Sequence, residues 1–200
     1  IAIRQEAYDS HKWRFVLAHE LGHFLMHPEI DQFFCTSADV WSRYKGSRTE
    51  AEANVFAAEL LMPKPLFEPM CDCDRPSLHD ISAIAERFQT SLTSTALRFI
   101  RFSDEPCAIV HSSHGKVDWY HKTDDFLVPL RRGMRIDRDT YAADLFSGES
   151  IADRHQAVDP DGWCDGRYAH RVTDAVLLHE HSRQVSPTSV LTLLWHPYCD

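Results

Sequence analysis

Residues 11–28 read HKWRFVLAHELGHFLMHP, and this stretch decides the first element of the fold. Its apolar residues recur at helical spacing, Asp9 or Ser10 can cap its start, and Pro28 ends it. We therefore predict a helix over residues 11–27. Because apolar residues flank the polar centre of this helix on both sides, we expect it to be largely buried.

The centre of the helix is His19-Glu20-Leu21-Gly22-His23, an HExxH motif. Residues four apart lie on one face of a helix, so His19 and His23 can bind a single metal ion. Glu20 lies next to the first ligand, where its carboxylate can reach a metal-held water. Zinc lowers the pKa of such a water, and the carboxylate accepts its proton as the water attacks a peptide carbonyl. Burial favours this interpretation over a structural helix, since burying polar groups without partners costs free energy.

A catalytic zinc site usually has three protein ligands and one open position. A second helix is predicted over residues 47–61, where Glu50 and Asn54 are four apart and share a face. We predict that Glu50 is the third ligand and that the Asn54 amide holds a ligand histidine. Two alternatives remain: Glu50 closes a capping box with Ser47, or Glu52, on a different face, is the ligand. His27, one turn beyond the motif, is too rotated to be a comfortable ligand, and the helix dipole favours it there.

The rest of the chain predicts an α+β fold. Residues 78–102 follow helical spacing on both sides of a break near Thr90-Ser91. Strands are predicted at residues 1–3, 107–111, 117–121, 172–178 and 190–195, with a hairpin turn at His114-Gly115. We therefore predict a helical zinc-peptidase domain over residues 1–104, with a helix-turn-helix-like pair at 78–102. A smaller β-rich domain follows over residues 105–200, with a sensory or interaction role as one interpretation.

Composition limits the partners. The formal net charge is −9, and this argues against a surface that grips nucleic acid or an anionic membrane. No apolar run is long enough for a membrane span and no leader peptide is evident, so we expect a cytoplasmic protein. The six cysteines have no scaffold spacing and are expected to be free thiols. As an alternative, Cys71 and Cys73 could form a second metal site, completed by Cys35 or His79.

The helical pair at residues 78–102 has two interpretations. Its helix-turn-helix character and the arginines Arg87, Arg98 and Arg101 are compatible with DNA binding. Asp80 and Glu86 lie in its first helix, however, and few basic residues flank the turn. We therefore expect the pair to pack beside the cleft, without stable binding to nucleic acid.

Two blocks resemble the signature blocks of the ImmA/IrrE metallo-endopeptidases: RFVLAHELGH at residues 14–23 and EAEANVFAAELLMP at 50–63. The resemblance implies that His19, His23 and Glu50 bind zinc and that Glu20 is catalytic. Members of this family typically cleave helix-turn-helix repressors. The resemblance thus implies a zinc-dependent endopeptidase whose protein substrate is such a transcriptional repressor, in a stress or mobile-element response.

A rival hypothesis is a non-catalytic regulator that keeps the fold and the zinc but only binds a repressor or nucleic acid. The intact Glu20 favours the enzyme, because a structural zinc site needs no base beside its ligand.

Overall fold

Two helices form the first part of the fold. The structure is a computed structural model that describes residues 12–28, 48–164 and 176–198. Helix α1 spans Lys12–Met26 and helix α2 spans Arg48–Leu61, which confirms both predicted helices. Phe15 and Ala18 of α1 and Ala57 of α2 form a small buried core, against which Ala58 and Leu61 pack. The predicted strand at residues 1–3 and the Ser47 cap lie outside the described residues.

Four shorter segments follow α2. Helix α3 spans Lys64–Phe67, a 3-10 turn spans Glu68–Met70, helix α4 spans Leu78–Phe88 and helix α5 spans Leu92–Phe99. The predicted break in the helical pair is confirmed. Gln89 ends α4 with a φ of 52°, in the left-handed region that stops a helix. The Ser91 hydroxyl then accepts the backbone N–H of Ser94 at 3.2 Å and caps the start of α5.

Five antiparallel strands form one sheet. They are β1 Cys107–Ser113, β2 Lys116–Lys122, β3 Gln156–Val158, β4 Leu178–Ser186 and β5 Ser189–Trp195, with helix α6 at Tyr141–Phe146. The strand order is β2-β1-β5-β4-β3. His114 and Gly115 join β1 to β2 with φ values of 48° and 71°, as a two-residue turn of the I′ kind requires. This confirms the predicted hairpin. The predicted strand at 172–178 lies mostly outside the described residues.

A buried cluster packs around this sheet and includes Phe126, Trp163, Leu178 and Leu194. The cluster also encloses one carboxylate, Glu180. Its Oε1 accepts the backbone N–H of Ala142 at 2.6 Å and the hydroxyl of Ser182 at 2.7 Å. Its Oε2 accepts the indole N–H of Trp163 at 2.8 Å. The carboxylate is buried but satisfied, and it links α6 and the turn at Trp163 to β4.

The described residues therefore form an α+β fold with a helical N-terminal part and a β-rich C-terminal part, as predicted. Two compact units can be distinguished. One is drawn from residues 1–69 and 84–95, and the other from residues 70–83 and 96–200. The domain boundary expected near residue 104 stays a prediction. Within the ranges that the structure describes, no helix has both the length and the apolar composition needed to cross a bilayer.

Candidate metal centre

Small residues bring α1 and α2 close together. Ala53 and Ala57 of α2 are fully buried, and Gly22 of α1 faces Ala53 and Phe56. A Cβ atom at position 22 would lie 3.1 Å from Cδ1 of Phe56 and 3.2 Å from Cα of Ala53. No side chain larger than hydrogen fits there without movement, because carbon atoms in contact prefer separations of about 3.5–4.0 Å. The close approach brings the acidic face of α2 against the histidines of α1.

Possible ligand atoms of three side chains converge where the two helices meet. The Nε2 atoms of His19 and His23 are 3.1 Å apart. Glu50 Oε2 lies 3.2 Å from Nε2 of His19, and Glu50 Oε1 lies 3.3 Å from Nε2 of His23. Tetrahedral zinc, with bonds of about 2.0–2.1 Å, holds its ligand atoms about 3.3–3.4 Å apart. The two imidazole nitrogens and the carboxylate therefore fit zinc in both chemistry and spacing.

The tautomer of His19 is set by α2. The side-chain Oδ1 of Asn54 lies 3.0 Å from Nδ1 of His19. An amide oxygen can only accept a hydrogen bond, so Nδ1 of His19 carries the proton. In the neutral ring the lone pair is then on Nε2, which is the atom that faces Glu50. Asn54 thus faces His19, and this is the kind of contact that would orient a ligand histidine.

His23 is buried in the same cluster. Burial lowers its pKa from the ordinary value and the neighbouring His19 imidazole lowers it further, whereas the carboxylates of Glu50 and Glu20 act in the opposite direction. The net lowering favours the neutral imidazole, which is the form that binds a metal. Glu20 is half-buried on α1, directly after His19 in the sequence, and its carboxylate is near enough to act on the pKa of His23.

Glu52 lies outside the group of three ligand atoms. Its Oε2 is 3.0 Å from Nε2 of His27, and its Oε1 accepts from Nε of Arg48 at 2.8 Å. Hydrogen bonds from His27 and then from Arg48 lower the pKa of Glu52, so it is a carboxylate at neutral pH. Of the two candidates for the third ligand, Glu50 therefore faces the histidines of the motif and Glu52 faces His27. The contact between Glu52 and His27 was not predicted from the sequence.

A second group of possible ligands, His79, Asp153 and His181, has a different chemistry. The backbone N–H of Leu78 donates to Nδ1 of His181 at 3.2 Å. In the neutral ring the proton is therefore on Nε2, which donates to Oδ1 of Asp153 at 2.8 Å. The guanidinium of Arg183 contacts both carboxylate oxygens of Asp153 at 2.9 Å. The hydrogen bond from His181, and then Arg183, lower the pKa of Asp153 to about 2. This group is an ion-pair network that needs no metal.

The cysteine alternative receives no support from the described part of the chain. Among the described cysteines, Cys73 and Cys107 are free thiols. No described cysteine belongs to a group of possible metal ligands. Burial raises the pKa of Cys73 to about 11, so its sulfur is a neutral thiol at neutral pH. Cys35 and Cys199 lie outside the described residues.

Comparisons with known proteins bear on the same region. Residues 2–99 match the family described as the IrrE N-terminal-like domain, a peptidase family. The chain is 29% identical over 107 residues to the radiation response metalloprotease IrrE of Deinococcus radiodurans, covering 52% of this chain and 31% of that protein. This chain thus spans about a third of that relative. A solved Mycobacterium tuberculosis transcriptional regulator has a similar fold, with a TM-score of 0.54 at 16% identity over 92% of this chain and 55% of that one.

Proposed function

Residues 2–99 belong to the IrrE N-terminal-like peptidase family, and from this premise we propose that the chain is a zinc-dependent endopeptidase that hydrolyses a peptide bond in a protein substrate. The observation that carries the proposal is that the Nε2 atoms of His19 and His23 lie 3.1 Å apart, and that each faces one carboxylate oxygen of Glu50, at 3.2 and 3.3 Å. These three side chains would hold the metal, and Asn54 would keep the lone pair of His19 directed at it.

The proposed roles of the metal and of Glu20 follow from where each side chain lies. Bound zinc supplies Lewis-acid chemistry, polarising a carbonyl and lowering the pKa of water. Glu20 holds no position among the three ligand atoms, so its carboxylate is available to accept the proton of the attacking water and pass it to the leaving amine. The burial of His19 and His23 excludes water from the inner side of the cluster. That burial strengthens the electrostatic interactions that the reaction uses.

We propose a helix-turn-helix transcriptional repressor as the substrate, in a stress response or in the control of a mobile element, and a cytoplasmic location. The relative from Deinococcus radiodurans is a radiation response metalloprotease, which supports the stress response. The free thiols of Cys73 and Cys107 support a reducing compartment.

The second candidate function is a non-catalytic regulator that binds a repressor or nucleic acid. One observation argues against binding to nucleic acid. Arg98, one of the three arginines of the helical pair, is only 2% exposed. It lies 4.9 Å from the ring centre of Phe102, in a cation–π contact, and is not available to a phosphate. Together with a net charge of −9, this supports a packing role for the pair and no stable nucleic-acid binding.

The test compares the wild-type chain with Glu20→Gln, both loaded with zinc. Each is mixed with purified helix-turn-helix repressors encoded beside its gene, and cleavage is followed by mass spectrometry together with release of the repressor from operator DNA. We expect Glu20→Gln to keep its zinc and its fold but to lose about a hundred- to ten-thousand-fold in cleavage rate. If both proteins release the repressor equally and neither cuts it, the regulator hypothesis replaces the enzyme for that substrate.

A further inference from the structure

His27 is a buried histidine just beyond the end of α1, and it contacts the metal-facing cluster without joining it. Its backbone N–H donates to the carbonyl of His23 at 2.9 Å, which fixes its position one turn further along. Its Nδ1 lies 3.2 Å from Nδ1 of His23, with the ring centres 5.2 Å apart. On its other side, Nε2 of His27 lies 3.0 Å from Oε2 of Glu52. His27 therefore bridges a carboxylate on α2 and a histidine of the HExxH motif.

If both rings are neutral, the two contacts that lead from Glu52 through His27 to Nδ1 of His23 allow one arrangement of protons. The carboxylate of Glu52 can only accept, so Nε2 of His27 carries a proton and donates to it. In a neutral ring, Nδ1 of His27 is then an acceptor, and Nδ1 of His23 must donate to it. The lone pair of His23 is consequently on Nε2, the atom that lies 3.3 Å from Glu50 Oε1. A carboxylate two contacts away thus determines which nitrogen of His23 is available to a metal.

His19, the other histidine of the motif, is held in the same tautomer by a different contact. His19 donates from Nδ1 to the side-chain oxygen of Asn54 at 3.0 Å. Both motif histidines therefore use Nδ1 as a donor and leave Nε2 for the cluster. For His19 the acceptor is directly on α2. For His23 it is His27, which depends on Glu52 of α2 for its own orientation.

We propose that His27 and Glu52 are positioning residues for His23, holding its ring and its tautomer so that Nε2 faces the metal. The inference rests on the proposed function, since it assumes that His23 is a metal ligand. It assigns a role to a pair of side chains that links Nδ1 of His23 to a carboxylate on α2. Removing His27 takes away an acceptor that selects the tautomer of His23, and removing Glu52 takes away the acceptor that fixes the tautomer of His27. Metal affinity falls in both cases for that reason.

Four variants of the whole chain separate this role from general stability. His27→Leu removes the acceptor for His23, whereas His27→Asn keeps an amide oxygen near the position of Nδ1. Glu52→Ala removes the acceptor for His27 at a site that is 42% exposed, where folding tolerates the change. Arg48→Ala is the matched control, because it removes the other partner of the same carboxylate and leaves the contact with His27 intact.

The experiment measures zinc affinity at one fixed pH by competition with a chromogenic chelator, together with the melting temperature of each metal-free protein. The visible spectrum of each cobalt-loaded protein serves as a second readout of the ligand set. We expect His27→Leu and Glu52→Ala to bind zinc about 10–100-fold more weakly. His27→Asn should recover at least half of that loss on a logarithmic scale, and Arg48→Ala should match the wild type. The cobalt spectrum should change in His27→Leu and not in Arg48→Ala.

Three further outcomes are distinguishable. If the wild-type chain binds zinc tightly and neither His27→Leu nor Glu52→Ala weakens it, the positioning role is refuted and the proposed function stands. If the wild-type chain itself binds no zinc, both the inference and the proposed function are refuted. A loss of affinity that Arg48→Ala shares equally would also contradict the inference, because it would trace the effect to the ion pair between Arg48 and Glu52 and not to the bridge through His27.

Discussion

The change Gly22→Ala adds one methyl group at the close approach between α1 and α2. The new Cβ would lie 3.1 Å from Cδ1 of Phe56, 3.2 Å from Cα of Ala53 and 3.3 Å from Cβ of Phe56. The Phe56 ring can rotate away, but the Ala53 Cα belongs to the backbone of α2. The strain can therefore be relieved only if the two helices move apart.

The size of the effect follows from these distances. The contact of 3.2 Å with the backbone of Ala53 must open towards about 3.5–4.0 Å, which requires a separation of about 0.3–0.8 Å. Metal–ligand distances tolerate only about 0.2 Å, so Glu50 would no longer reach the metal together with both histidines. For the metal-free fold, overpacking costs about 1–3 kcal/mol. The gain in helix propensity of alanine over glycine offsets about 0.8–1 kcal/mol of that.

We therefore expect Gly22→Ala to lose at least about tenfold in zinc affinity, while the metal-free protein loses only about 0–2 kcal/mol of unfolding free energy. Chelator competition measures the first quantity and denaturant unfolding the second. Leu25→Ala on the same helix is the control, because its side chain is 56% exposed and should alter neither. If Gly22→Ala binds zinc as tightly as the wild type, the close approach of the helices does not set the geometry of the site.

Three further predictions concern other carboxylates and histidines. Glu50→Gln should lose zinc affinity in chelator competition. Glu52→Gln should keep it, because the amide oxygen of the new glutamine can still accept a hydrogen bond from a histidine. The reverse result would reassign the third ligand. The pair His79→Asn and His181→Asn should leave the zinc content by elemental analysis unchanged, and a lower content would make the second group a metal site. Burial raises the pKa of the Glu180 carboxyl group, so the folded state binds the proton of this group more tightly than the unfolded state does. The free energy of unfolding, measured in denaturant, should therefore fall as the pH rises from the ordinary glutamate pKa to the raised one. Glu180→Gln should remove this pH dependence but lower the free energy of unfolding by about 1–3 kcal/mol at neutral pH, because an amide nitrogen cannot accept the hydrogen bonds that the carboxylate accepts. A variant as stable as the wild type would contradict this expectation.

The local parts of the site could be predicted from the sequence. The spacing of His19 and His23, and that of Glu50 and Asn54, depends only on the period of a helix, and both pairs lie on the predicted helices. The hairpin at His114 was equally local, since a two-residue turn with glycine is a short-range signal. In each case a few adjacent residues contain the physical cause.

Features that depend on distant residues were not predicted. Helix α6 has only six residues and no apolar period, so its position depends on the capping Thr140 and on packing. Strand β4 reads LHEHSRQVS, and so many polar residues do not predict a strand. Its Glu180 can be buried only because Trp163 and Ala142 donate hydrogen bonds to the carboxylate. The bridge from His27 to Glu52 joins residues 25 apart, and nothing in either segment alone indicates that pairing.

The zinc content of the purified chain tests the central claim most directly. Elemental analysis of the wild-type protein should give one zinc per chain, and the double change His19→Ala with His23→Ala should give none while the β-sheet signal in circular dichroism persists. This follows because the two Nε2 atoms supply two of the three ligand atoms that converge within 3.1–3.3 Å. A double variant that still holds stoichiometric zinc would contradict the account, because the metal would then be bound by other residues, with Cys71 and Cys73 the first to be replaced in turn.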